Sequence, residues 1–188
     1  MIKEKSSKNN TFKGLILPVI VLVAICIVVG AALAVVNYVT APIIEADRKR
    51  AEQEALDMLI PENSGFTKLE LYDLPECVSA VYSDNGSNRF AVMLSVKGYD
   101  SSNPMSVAVG FDEAGNIIKC SVISSSGETK GIGSKVAEDG FLSRFVGKND
   151  VSSVDTISGA TISSSAFKKA IEEACTVVAN LRKTEVAK

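Results

Sequence analysis

The stretch RFAVMLSVKGYDSSNPMSVAVGFDEAGNIIKCSVIS, residues 89–124, holds three runs rich in Val, Ile, Phe and Met, broken by polar, glycine-containing and proline-containing segments. Such runs, 7 to 11 residues long and often alternating, read as strands at Arg89–Tyr99, Met105–Phe111 and Ile117–Ser124. Ala114-Gly115-Asn116 supplies a hairpin turn between the last two. Working upstream, Phe66–Tyr72 and Val78–Ser83 add two more strand candidates, with Asn85-Gly86 as a further turn. Five short strands in sequence predict an antiparallel meander. Their alternation predicts one buried and one wet face, and the buried face needs a helix over it.

That helix is legible downstream. Ala166, Phe167, Ala170, Ile171, Ala174, Cys175, Val178 and Leu181 form one apolar stripe from Ser163 to about Arg182, with Lys169 and Glu172 turned to solvent. Ser163, Ser164 and Ser165 are candidate caps at its start. The predicted class is α+β, with no internal repeat and no low-complexity tract.

Working toward the N-terminus, LILPVIVLVAICIVVGAALAVV, residues 15–36, carries no charged residue. At 1.5 Å per residue it is long enough for a hydrocarbon core of roughly 30 Å, so a transmembrane helix is expected. Pro18 falls in its first turn, and Gly30-Ala31-Ala32 offers a smooth patch for a neighbouring helix. A cleaved signal peptide, cut near Ala32-Leu33-Ala34, is the competing reading, although signal cores usually have only about 7–15 apolar residues. Lys3, Lys5, Lys8 and Lys13 precede the span and Arg48, Lys49 and Arg50 follow it, a small bias toward a cytoplasmic N-terminus and an outward domain. After Pro42, IIEADRKRAEQEALDMLI (residues 43–60) reads as a charged, amphipathic stalk helix, ended by Pro61-Glu62-Asn63-Ser64-Gly65. The expected organisation is an N-terminus at 1–14, a span at 15–36, a stalk at 37–62 and one domain at 63–188.

Composition narrows the chemistry. Twenty basic residues against 22 acidic ones leave no surplus for neutralising phosphates along a nucleic acid. Setting aside the four lysines and one glutamate ahead of the span leaves 16 basic and 21 acidic residues, a net of −5. The chain has no His and no Trp, which removes imidazole ligands and the commonest general base. Cys26, Cys77, Cys120 and Cys175 lie far apart without a C-x-x-C pair, which argues against a zinc or iron–sulfur site. They read as buried thiols, with a Cys77–Cys120 disulfide as the alternative.

The remaining segment, Asp155-Thr156-Ile157-Ser158-Gly159-Ala160-Thr161-Ile162-Ser163-Ser164-Ser165, is dominated by small residues just ahead of a helix. Small side chains allow close approach to the backbone, and a helix N-terminus presents free N–H groups and a positive dipole end. The physical reading is a phosphate-binding turn, set against an ordinary loop with Ser caps or a turn holding an anion or peptide.

The string D-x-x-S-G-A-T-x-S-S resembles the flavinylation motif of FMN-binding domains in the G subunit of Rnf electron transport complexes and the C subunit of sodium-pumping NADH:quinone reductases. In those families a flavin transferase uses FAD and a metal ion to join FMN to the threonine of S-G-A-T through a phosphoester. The matching position is Thr161, with Ser158, Gly159 and Ala160 before it and Ser163 and Ser164 after it. Asp155 matches the residue that the transferase recognises. An E-T-P-G-L-G stretch lines the flavin in the family; Glu128-Thr129-Lys130-Gly131-Ile132-Gly133 keeps four of its six positions, Glu128, Thr129, Gly131 and Gly133. Lys130 replaces the proline, and Ser and Gly precede Glu128 where many relatives carry His.

The length favours the Rnf protein over its longer reductase counterpart. The resemblance implies a single-pass protein of the cell (inner) membrane with a covalent FMN. It would relay electrons between ferredoxin and NAD within an ion-translocating Rnf complex of membrane and soluble subunits. It implies a redox subunit with no stand-alone catalysis, no catalytic acid or base and no protein-bound metal. The alternatives are the corresponding sodium-pumping reductase protein and an extracellular anchored FMN protein serving an external acceptor. Tyr82, Phe111, Phe141 and Phe145 are candidates to cover the flavin ring, and Lys130 or Lys135 would favour an anionic reduced flavin.

Overall fold

A computed structural model describes residues 7–186, with side chains from 16 to 183. It divides into two units, residues 1–49 and 50–188. Lys3, Glu4 and Lys5, part of the orientation argument, lie outside the described residues.

Helix α1 runs Ser7–Leu59 without a break, with Pro18 and Pro42 both inside it. The expected span and most of the expected stalk fall within it. Pro42 leaves the carbonyl four residues back without its usual N–H donor, while Thr40 Oγ1 donates to Val36 O at 2.8 Å. In the first unit every side chain from Ile16 to Val39 is exposed, and the most apolar window has a mean hydropathy of 3.3. A helix this long and apolar can cross a membrane.

The second unit is built on the expected meander. Strands β1 (Phe66–Leu69), β2 (Val78–Asp84), β3 (Phe90–Val96), β4 (Met105–Phe111) and β5 (Ile117–Ser124) pair antiparallel in sequence order. Three short helical turns follow, at Gly133–Ala137, Asp139–Leu142 (α2) and Ser143–Phe145, and then the long α3, Thr161–Val186. Phe90, Val92, Leu94, Val107, Val109 and Phe111 face a core closed by Phe141, Phe145, Phe167, Ile171 and Val178. The three phenylalanines Phe141, Phe145 and Phe167 pack together, Phe141 edge-on to the other two and those two tilted, with centroids 5.2–5.6 Å apart.

The opposite face is not wet. Ala55, Leu56, Leu59 and Ile60, from the end of α1 and just beyond it, pack on Ala80, Ala91, Met93 and Ala108. The residues that interleave the large apolar ones in β3 and β4 are mostly small, and small residues let a helix come close. A Cβ added at Gly110 would lie 3.2 Å from Leu59 Cβ. The run Phe90-Ala91-Val92-Met93-Leu94 is all apolar because both its faces are covered.

The β2–β3 hairpin is tied to the chain after α1 by Asp84, which is 4 % exposed. Its carboxylate accepts from the Ser64 and Gly86 N–H groups at 3.0 and 3.2 Å, from Ser87 Oγ at 2.6 Å and from Arg89 Nη2 at 2.7 Å. Arg89 Nη2 also donates to Glu62 O. Burial alone would raise the Asp84 pKa, but the Ser87, Ser64, Gly86 and Arg89 donors outweigh it and hold it at about 2.

All four cysteines are free, so no Cys77–Cys120 disulfide forms. Cys120 is buried in the α3-side core, whereas Cys26 is exposed on the apolar part of α1. Cys77 Sγ donates to Glu173 Oε2 at 2.9 Å.

Candidate functional site

The site begins at the start of α3. Ile157-Ser158-Gly159-Ala160 forms a turn closed by Ala160 N–H to Ile157 O at 3.0 Å, with Gly159 at φ +82°. A Cβ there would meet nothing within 4 Å, so the backbone conformation, not space, asks for glycine. Helix α3 starts at Thr161, two residues earlier than the Ser-cap reading expects. Ser164 explains the shift. Its hydroxyl accepts from Ile157 N–H at 3.0 Å and donates to Ala160 O at 2.8 Å, pinning the turn from inside the first helical turn. Thr161 is left exposed, beside the first-turn N–H groups that no intrahelical carbonyl can satisfy.

A second turn is brought to the same place. Ile132 N–H and Ser134 N–H both donate to Thr129 O, at 3.1 and 3.2 Å, and Gly131, at φ +74°, donates to Ser134 Oγ at 2.9 Å. Glu128 anchors this turn to its surroundings. It is 7 % exposed; Oε1 accepts from Tyr99 N–H at 3.0 Å, and Oε2 accepts from the Ser163 hydroxyl. Two glycines make room for the carboxylate. A Cβ at Gly98 would lie 1.9 Å from Oε1, and one at Gly133 would lie 2.3 Å from Oε2.

Between the two turns lies an open cleft of 540 Å³, within the usual range of ligand sites. Gly159, Ala160, Thr161, Ile162 and Ser163 line one side, and Glu128, Thr129, Ile132, Gly133 and Tyr99 the other. Tyr99, Ile132 and Ile162 are 68, 50 and 61 % exposed, so three large apolar surfaces surround Thr161.

Seven of the residues singled out from the sequence meet here: Glu128, Thr129, Gly133, Gly159, Ala160, Thr161 and Ser163. Ser158, Gly131 and Ser164 shape the two turns without lining the cleft. Asp155 lies off it, exposed in a shallow groove with Arg144 and Lys148, and Arg144 Nη1 approaches its backbone oxygen at 3.5 Å. The four aromatics proposed from the sequence to cover a ring do not line it. Phe111, Phe141 and Phe145 are core residues, and Tyr82 packs on the α1 side of the sheet. Lys130 and Lys135 are exposed and off the lining. The aromatic side chain on the cleft is Tyr99, which the sequence pattern places at the end of a strand. Its signal is the adjacent Gly98, since glycine in a strand pattern often marks close backbone approach.

Residues 98–176 match the model of the FMN-binding domain family. The chain is also 26 % identical, over 160 residues, to the G subunit of the proton-translocating ferredoxin:NAD(+) oxidoreductase complex of Clostridium ljungdahlii. That alignment covers 79 % of this chain and 83 % of the relative. The matched segment begins at Gly98 and takes in both turns of the cleft and most of α3. The part of the chain that builds the cleft thus matches the FMN-binding domain family, in a protein that resembles the G subunit of Rnf complexes.

Proposed function

We propose that this protein is the electron-carrying FMN subunit of a membrane-bound, ion-translocating ferredoxin:NAD oxidoreductase of the Rnf type, with FMN joined to Thr161 by a phosphoester. The observation that carries the reading is the meeting of two turns far apart in sequence. The exposed Thr161 hydroxyl, at a helix start, opens on the same cleft as the Glu128–Gly133 turn. The residues present suit the group. First-turn N–H groups of α3 favour the phosphate, and Tyr99, Ile132 and Ile162 offer apolar surface to a planar ring.

Attachment by a flavin transferase would have Thr161 Oγ1 attack the FMN phosphorus of FAD. The new P–O bond forms as the pyrophosphate bond breaks, AMP leaves, and the hydroxyl proton goes to solvent or the transferase. Asp155 and the exposed Ser158 and Gly159 are available for that enzyme to grip. FMN supplies the redox chemistry once bound, and the chain supplies location, environment and retention. The apolar part of α1 anchors the domain in the cell membrane, N-terminus inside and domain outside, beside the other Rnf subunits. Electrons pass through this protein between partners, without a catalytic acid or base of its own.

Intact mass and in-gel flavin fluorescence of the protein made together with the transferase test this directly. We expect a mass increase equal to esterified FMN in the native chain and its complete loss in Thr161→Ala. An unmodified native chain overturns the reading.

A further inference from the structure

We infer that the carboxylate of Glu128 sets the reduction potential of the flavin carried beside it, holding that potential low. The inference rests on the FMN-carrier reading and adds which residue tunes the carrier and in which direction.

Among the ten described residues that line the cleft, Glu128 is the one with a formal charge. Both groups that donate to it, the Tyr99 N–H and the Ser163 hydroxyl, are neutral, and it forms no ion pair among the described residues. A carboxylate 7 % exposed acts through a medium less polarisable than water, so its field reaches further than that of a surface charge. Reduction adds negative charge to the isoalloxazine ring. A fixed negative charge at the ring's seat opposes that addition, just as a like charge disfavours the ionised form of a neighbouring group. Lys130 and Lys135, the cations that the loop sequence offers for the opposite effect, are exposed to solvent screening and do not line the cleft. Gly98 and Gly133 leave the space in which the carboxylate sits.

The test is a potentiometric titration of the flavinylated full-length chain in detergent, followed by flavin absorbance. Glu128→Gln removes the charge while its amide oxygen can still accept from Tyr99 N–H, and the Ser163 hydroxyl can rotate to accept from the amide nitrogen. We expect the reduction equilibrium to move about tenfold toward the reduced flavin, or about 30 mV upward for a two-electron couple. Glu128→Asp, which keeps the charge, should stay nearer the parent. A Glu128→Gln potential equal to the parent's overturns the inference, as does a larger shift from Lys130→Gln.

If Glu128→Gln does not take up flavin, Ile132→Lys and Ile132→Glu carry the test, because Ile132 is exposed on the lining. Opposite shifts, upward for Lys and downward for Glu, support control of the flavin by charge at this lining. Equal potentials overturn it. Failure of the carrier reading is separately visible as absence of flavin from the parent chain.

Discussion

Among the described residues the domain buries two carboxylates, and they are treated differently. Asp84, in the β2–β3 hairpin, is matched by the Arg89 guanidinium and by donors from Ser64, Gly86 and Ser87. Glu128 has two neutral donors and an open cleft in front of it. A buried charge that is fully paired contributes to structure, because removing either partner leaves the other stranded. A buried charge held by neutral groups keeps its field available to whatever enters beside it. The contrast teaches that burial alone does not mark a functional acid; the sign and number of the partners do.

The contrast can be broken most forcefully at Asp84. Asp84→Ala removes the shared acceptor of Ser64, Gly86, Ser87 and Arg89, so urea unfolding of the full chain in detergent should show a loss of about 3–5 kcal/mol. Gly133→Ala comes next. Its Cβ would meet Glu128 Oε2 at 2.3 Å and Ser163 Oγ at 3.0 Å, contacts that must shift. We expect destabilisation of about 1–3 kcal/mol together with a disturbed flavin spectrum. A stable Gly133→Ala with an unchanged spectrum would show that the carboxylate has room to move.

Acid tests the Asp84 side of the contrast by a different route. Asp84 is held at about 2 in the fold against an ordinary value of 3.8. Its contribution is therefore present above pH 3.8 and lost as pH falls through about 2. The stability gap between parent and Asp84→Ala should narrow across that window, and a gap constant down to pH 2 contradicts the hairpin's account. The smallest effect belongs to Glu128→Gln, whose hydrogen bonds can be kept. Its unfolding free energy should lie within about 1 kcal/mol of the parent, while its flavin potential moves.

Much of this was legible in the sequence. The bounds of β4 and β5 match their apolar runs to the residue, because Gly115 and the polar residues beside it allow one place to turn. β3 stops at Val96 rather than Tyr99, since Tyr99 N–H goes to Glu128 and not to a neighbouring strand. That bond spans 29 residues, and local pattern carries no trace of it. The covered second face was missed for a related reason. Ala80, Ala91 and Ala108 read as the weak side of an alternating strand, when they mark where Leu56 and Leu59 dock. Thr161, which lines the cleft, is singled out in the sequence by the motif and by its place before an apolar stripe. Its aromatic neighbour is not, because exposure and convergence belong to the folded chain, and the larger aromatics drew attention to what proved to be core.

The thiols of the domain lead to one last consequence. Burial, helped by Glu173 for Cys77, by Cys175 for Cys120 and by Asp150 for Cys175, pushes their pKa values to about 12, 12 and 11. At neutral pH these sulfurs are almost wholly protonated, and it is the thiolate that attacks electrophiles and peroxides. The folded domain thereby keeps these cysteines out of thiolate chemistry. The domain should resist alkylation and oxidative cross-linking for as long as it stays folded.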